Sequence, residues 1–322
     1  MANPNLGEIV TTTLRNRSKT LADNVSKSNA LLARLSANGK IKYADGGRTI
    51  IQELAYAENS TFQWYSGYEA LNINPSNVFD AAEFSWKQAA VNVVASGLET
   101  EIQNSGSERI INLMTSRIEN AELTMKNNIS QGIYSDGTGS SGKQIGGLQL
   151  LVADAPTTGV VGGIDRATYT FWQNKTYDFS AESGGTSASI GNMQAGLQTA
   201  WLKVIRGNDR PDLIPMDSNY YQMFWNSLTQ IQRITDPTTA VLGFDNIKFR
   251  SADVVWDNDS GIPANHFYML NTNYLFFRPH PDRYFSPPQN KWSTNQDAMV
   301  VPILFAGNLT ASNCSLQLVG HE

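Results

Sequence analysis

The chain has 322 residues, 41% of them hydrophobic and only 16% charged, with a formal net charge of −5. The apolar fraction supports a packed core and excludes global disorder. The low charge, against about 25% in ordinary globular domains, suits either a neutral polar surface or a chain surrounded by protein. The acidic balance, with no basic patch denser than Arg15, Arg17 and Lys19, excludes a protein that grips nucleic acid by its phosphates, and the single cysteine, Cys314, excludes an internal disulfide framework or a cysteine-based zinc site.

Residues 1–35 are polar with sparse apolar positions, and the spacing from Leu21 to Leu35 predicts an amphipathic helix behind an extended arm. Residues 46–75 lie between Gly46-Gly47 and Pro75 and are rich in β-branched and aromatic residues. With ENST at 58–61 as the turn, they predict a hairpin of two strands. A lone hairpin is marginal in water, so one carrying Phe62, Trp64, Tyr65 and Tyr68 needs something to lie against. FSWKQAAVNVVA at 84–95 predicts another strand. Residues 107–133 give the clearest helix. Ile110, Met114, Ile118, Ala121, Met125 and Ile129 form one apolar stripe, Ser107 is placed to cap it, and Gly132 to stop it. Met193, Leu197, Trp201 and Val204 mark a second helix, PDLIPM at 211–216 a strand, and Ser218 the cap of a third helix running to Ile231. The remainder reads as short strands: IKFRSADVVW, HFYMLNTNYLFFRP, MVVPILFAGNL and CSLQLVG. This order is α+β rather than alternating βαβ.

Several near-motifs fail their context. Gly137 to Lys143 has the spacing of a phosphate loop, but Gln144 follows where a Ser or Thr would hold magnesium. The segment also follows a helix instead of a strand. DNDSG at 257–261 lacks its third oxygen ligand at Gly261 and has Tyr268 where a calcium loop needs its bidentate Glu. His266, His280 and His321 show no paired spacing, and there is no GxSxG. No catalytic residue, cofactor site or metal site is expected. The start MANPNLGEIVTTTLRNR has no apolar stretch of signal-peptide length, and no run of ~18 apolar residues predicts a membrane span. GGIDRATYTFWQNK at 162–175 packs two glycines, an Asp-Arg pair, three aromatics and an amide together. On composition alone it fits a pocket or a structural corner equally well.

The order of elements resembles the major capsid proteins of tailed bacteriophages. The resemblance is carried by NALLARLSANGKIKYADGGRTIIQELAYAEN at 29–59, FDAAEFSWKQAAVNVVASGLE, RIINLMTSRIENAELTMKNNISQGIYSDGT, IGGLQLLVAD, GGIDRATYTFWQNK, PDLIPMDSNYYQMFW and FYMLNTNYLFFRPHPDR. It spans nearly the whole chain. It implies an α+β subunit with an N-terminal arm at 1–40 and an extended β-hairpin loop with its return strand at 41–95. A peripheral domain at 96–190 would carry the spine helix 107–133, an axial domain would occupy 191–264, and strands at 265–322 would complete both. It also implies that 162–175 is a structural corner.

The function implied is a structural shell protein, not an enzyme, that self-assembles into hexamers and pentamers around phage DNA. Its partners would be further copies of itself, packaged double-stranded DNA held without specific binding, and separate scaffolding, portal and decoration proteins. The location implied is the virion capsid, assembled in the host cytoplasm without a membrane. Arg48, Phe62, Trp64, Tyr65, Tyr68, Asp165, Arg166 and Trp172 are the candidate inter-subunit contacts. Some members of the family join subunits by an isopeptide bond between a loop lysine and an asparagine. Asn174 offers the amide, but no lysine lies between Lys42 and Lys87. An encapsulin-like protein nanocompartment is the rival within the same fold. A carbohydrate-binding or adhesion module, suggested by seven tryptophans and abundant Asn, is the rival outside it, and a hydrolase with an unrecognised site is the last.

Overall fold

The computed structural model describes residues 21, 23–25, 29–96, 107–228, 246–257, 261–285, 291–292 and 297–322, with the backbone alone at 107–115, 246 and 291–292. The arm expected at 1–20 lies outside these residues. The predicted helix from Leu21 to Leu35 is interrupted: Asn29 is extended (φ −115°, ψ 127°), and its side chain accepts from the Leu31 and Leu32 amides to start a fresh helix, α1, at Ala30–Ala37. The carboxylate of Asp257 accepts from Ala30 N (3.1 Å) and from Tyr134 Oη (2.5 Å). One buried acid thus ties the start of α1 to the end of the spine helix, and a negative charge is well placed at that helix N-terminus.

The extended loop is a hairpin longer than the sequence predicts. Strand β1 (Thr49–Ala55) pairs antiparallel with β2 (Phe79–Ser85) from Thr49↔Ser85 to Ala55↔Phe79. The aromatic residues 62–68 therefore sit in the connection between the strands, and ENST is not the hairpin turn. The strand FSWKQAAVNVVA predicted at 84–95 divides at Trp86 into the end of β2 and a separate β3 (Lys87–Ser96).

The spine helix α2 (Ser107–Tyr134) has 28 residues and is about 42 Å long at 1.5 Å per residue. Ile118, Ala121, Met125 and Ile129 are buried along one stripe, as the spacing requires. Gly132 does not stop it. The helix runs on to Tyr134 with Gly132 against Ile145, and the chain leaves through the left-handed Gly137 (φ +77°). A tight two-stranded turn follows, β4 (Val160–Val161) with β5 (Ile164–Asp165). Beyond it lie β6 (Lys175–Asp178), helix α3 (Met193–Val204), β7 (Leu213–Met216) and helix α4 (Ser218–Ser227). The N-cap of α4 is Asp217, whose carboxylate accepts from Asn219 N, rather than Ser218. The helix ends at Ser227, and Ile231 lies outside the described residues. The last strands are β8 (Asn246–Phe249), β9 (Ala252–Trp256), β10 (Phe267–Met269), β11 (Leu275–Tyr284), β12 (Lys291–Trp292), β13 (Ala298–Ala311) and β14 (Leu318–His321).

Two sheets organise these strands. In one, β13 runs through the middle, with β3 along one edge and both β11 and β12 along the other. The spine helix packs on β3. The other sheet has order β6-β14-β10-β7-β9-β8 and is buried on both faces. Successive residues alternate between cores, as strand pleating requires. Leu213, Val255, Tyr268 and Val319 join the core of the first sheet and the spine helix. Ile214, Val254, Phe267, Met269 and Leu318 join a second core under α3 and α4. No described helix is long and apolar enough to cross a membrane.

Candidate assembly surfaces

The extended loop is built at its base and uncovered at its tip. β1 alternates strictly, with Ile50, Gln52 and Leu54 buried, and β2 turns Ala82 and Phe84 to the same side. The opposite side and the connection carry large apolar groups in the open. Trp64 is 90% exposed and Ile73 91%, and Phe62, Tyr65, Tyr68, Leu71 and Phe79 are exposed with them. Polar contacts hold this connection together. Ser60 N and Ser60 Oγ both meet Ser76 Oγ at 3.2 Å, Gln63 Nε2 donates to Ala70 O, and Ser66 N donates to Glu69 Oε2. Phe62 and Trp64 touch edge to face at 5.5 Å. Isolated apolar residues are ordinary on a surface, but a contiguous group of this size marks an interaction surface. Arg48 is exposed at the neck, just after Gly46 and Gly47, where Trp86 Nε1 donates to Gly47 O.

The stretch 162–175 is the cradle for that loop. Gly162 (φ +60°) and Gly163 (φ +77°) form the two-residue turn between β4 and β5, a conformation that only glycine adopts without strain. Gly162 also lies so close to β2 that an added Cβ would sit 2.9 Å from Ala82 Cβ and 3.0 Å from the Phe84 ring, and its carbonyl accepts from Glu83 N. Phe171 stacks on Tyr56 at 5.4 Å, where β1 leaves the body.

Of three residues in this stretch expected at a subunit contact, Trp172 and Arg166 are enclosed within the subunit, while Asp165 remains at its surface. Trp172 is 1% exposed and donates from Nε1 to Val161 O, closing the β4–β5 turn from below. Arg166 is also 1% exposed. Its Nη2 donates to Leu151 O, its Nε has no partner, and it lies beside the Cys314 thiol, whose pKa burial pushes up to about 11 with Arg166 pulling the other way. Asp165 does not pair with Arg166. It accepts from Ala167 N and Thr168 Oγ1, and these bonds, led by the Ala167 amide, hold its pKa below the ordinary carboxylate value. Asn174 is buried, accepting from Ala153 N and donating to the Ala153 and Lys175 carbonyls.

Two groupings were not legible in the sequence. His266 Nε2 meets Asp154 Oδ2 at 3.2 Å, its Nδ1 meets Ala264 O at 2.8 Å, and its ring stacks on His321 at 5.9 Å. Lys40, Lys42 and Arg278 converge on the ring of Phe276. A groove of about 490 Å³ between β3 and the spine helix is lined by Val91, Met125, Ile129 and neighbours, with Lys143 its single titratable lining residue. Thr124 and Ser140 bring hydroxyls to this groove, but among its described lining residues no histidine or carboxylate stands beside them to act as a base.

No family model and no curated protein matches the sequence. Among solved structures, the chain is similar to the capsid asymmetric unit of cyanophage A-1(L), with a TM-score of 0.63 and 17% identity over 88% of this chain and 90% of that one. It is similar to the capsid of an empty GTA particle, with a TM-score of 0.57 and 11% identity over 89% of each chain. It is also similar to the capsid of Myoviridae phage XM1, with a TM-score of 0.55 and 11% identity over 89% of this chain and 91% of that one. The likeness runs over about nine-tenths of each chain, and the fold of this protein is that of the tailed-phage major capsid proteins.

Proposed function

We propose that this chain is the shell-forming subunit of a bacteriophage capsid, closing as hexamers and pentamers into an icosahedral container for double-stranded DNA. The observation that carries this reading is the extended loop, a structured arm whose large apolar side chains find no cover among the described residues of their own subunit. A neighbour supplies that cover, and in a closed shell every copy has one. Arg48, Phe62, Trp64, Tyr65 and Tyr68 are the contacts proposed for it. The acidic balance of the chain suits a wall that need not hold DNA by its phosphates. In this reading residues 1–40 form the arm, 41–95 the extended loop with its return strand, and the two sheets the peripheral and axial domains. Scaffolding, portal and decoration proteins are separate chains, assembly takes place in the host cytoplasm, and the subunit is not an enzyme. Negative-stain microscopy of the purified full chain tests this. Closed shells of uniform diameter are expected, and a preparation of only small particles under all assembly conditions contradicts the proposal.

A further inference from the structure

We propose that the root of the extended loop carries a carboxylate receptor, formed by Lys40, Lys42 and Arg278 around Phe276, and that its occupant is the acidic extended loop of a second copy of this chain. The inference rests on the shell reading above and names one of the contacts that would build it.

The receptor is made by strand pairing. Residues 40–44 run alongside β11: Ile41 bridges Phe277 in parallel, Phe277 N donates to Lys40 O, Lys42 N to Phe277 O, and Ala44 N to Pro279 O. Side chains alternate across a strand, so Ile41 and Phe277 share the core face while Lys40, Lys42, Phe276 and Arg278 share the other. The Nζ atoms of Lys40 and Lys42 lie 5.4 and 5.2 Å from the Phe276 ring centre, and Arg278 Cζ lies 5.5 Å from it. Each cation gains from the ring face, but three like charges around one ring repel one another. Among the described residues none of the three forms an ion pair. Arg278 donates from Nη2 to the neutral Gln52 Oε1 on β1, while its Nε is buried without a partner. Burial without a counter-charge draws the guanidinium pKa below its ordinary value. A carboxylate placed here would relieve the repulsion and pair with the arginine.

Charge complementarity selects the occupant. Residues 43–86 hold six acids, Asp45, Glu53, Glu58, Glu69, Asp80 and Glu83, and a single basic residue, Arg48. In the connection at 56–78, Glu58 and Glu69 are the only charged residues, and both are exposed. The projecting part of the loop is thus purely acidic, and the root of the same loop on a neighbour is basic. In a ring of copies such a pairing repeats head to tail around the axis.

The test is a charge reversal in the full chain, read as particle yield by sedimentation and negative-stain microscopy, with thermal melting of the unassembled subunit as the control for folding. K40E/K42E and E58K/E69K are each expected to lower yield by about tenfold or more while the subunit still melts as the wild type does, and the combined quadruple variant is expected to recover most of the loss. K40Q/K42Q, which removes charge without reversing it, should show a smaller loss in the same direction. Wild-type yield in both reversal variants, or no recovery in the combination, overturns the proposal and leaves the shell reading intact. K40Q/K42Q shells that form at normal yield but lose nucleic acid also overturn it, assigning the patch to phosphates. Absence of particles from the wild type overturns both readings.

Discussion

Single residues divide into those that hold the subunit and those that the proposed shell assigns to a neighbour. Trp172 belongs to the first kind: it fills the space under the β4–β5 turn and bonds Val161 O. Trp172→Ala is expected to destabilise the subunit by about 3–5 kcal/mol, measured by denaturant unfolding, because it removes a large buried group and leaves a cavity. Trp64 belongs to the second kind, and among the described residues its ring meets that of Phe62 alone. Composition could not separate the two tryptophans, since both sit in aromatic-rich runs flanked by glycine. Arg166 was equally opaque. A charged residue is usually exposed, yet this one is enclosed because the Leu151 carbonyl and the Cys314 thiol meet it inside. The basic cluster at Phe276 was hidden for a different reason: Lys42 and Arg278 are far apart in sequence, and only the pairing of Ile41 with Phe277 joins them.

At the scale of elements, strong periodicity was legible and neighbour-dependent strands were not. The apolar stripe of the spine helix and the burial of Met193, Leu197, Trp201 and Val204 in α3 follow directly from their spacing. Residue pattern alone confines both hairpin strands to 46–75, because β2, FDAAEFS, is poor in β-branched residues while the connection is rich in aromatics; the family resemblance, which makes FDAAEFSWKQAAVNVVASGLE the returning strand, agrees with the pairing of β2 on β1. Strand preference reflects fit to a half-buried surface, and the described residues give those aromatics no such surface. Replacing both Trp64 and Tyr65 with serine should therefore leave the melting temperature of the isolated subunit nearly unchanged and sharply reduce particle yield. Normal yield in the double variant would contradict this role for the loop. The contact between the segment ending at Asp154 and the six-stranded sheet carries a pH signature. Burial opposes charge on His266, but Asp154 and the Ala264 carbonyl outweigh it, with Asp217 adding to them, so its pKa is raised; the bond to His266 lowers that of Asp154. His321 and Asp217 face the same pair, and Asp178 faces His321. A raised histidine stabilises fully below its unfolded value of about 6.5, and this is lost as pH rises through the folded value. The aspartate contribution is present above about 3.8 and lost as pH falls through its lowered folded value. His266→Gln should thus lower the melting temperature more at pH 5.5 than at pH 8.5, by on the order of 1–2 °C. An equal loss at both values would show that the imidazolium contributes nothing.

For the whole molecule, the account is of a subunit whose two cores are complete and whose extended loop is not. Covalent closure of that loop by an isopeptide bond lacks its parts. No lysine lies between Lys42 and Lys87, the Asn174 amide is already bonded on both sides, and the sole thiol, Cys314, is buried. Particles boiled in detergent with reductant should accordingly run as one band near the 35.4 kDa monomer, and a ladder of multimers would refute the non-covalent account. In the proposed shell what remains is buried area between copies, centred on the aromatic connection at 56–78. Cryo-electron microscopy of assembled particles tests that most directly. The account predicts hexamers and pentamers in which Phe62, Trp64, Tyr65 and Tyr68 are covered by the adjacent subunit; a loop folded back on its own subunit, or left in solvent within a closed shell, would contradict it.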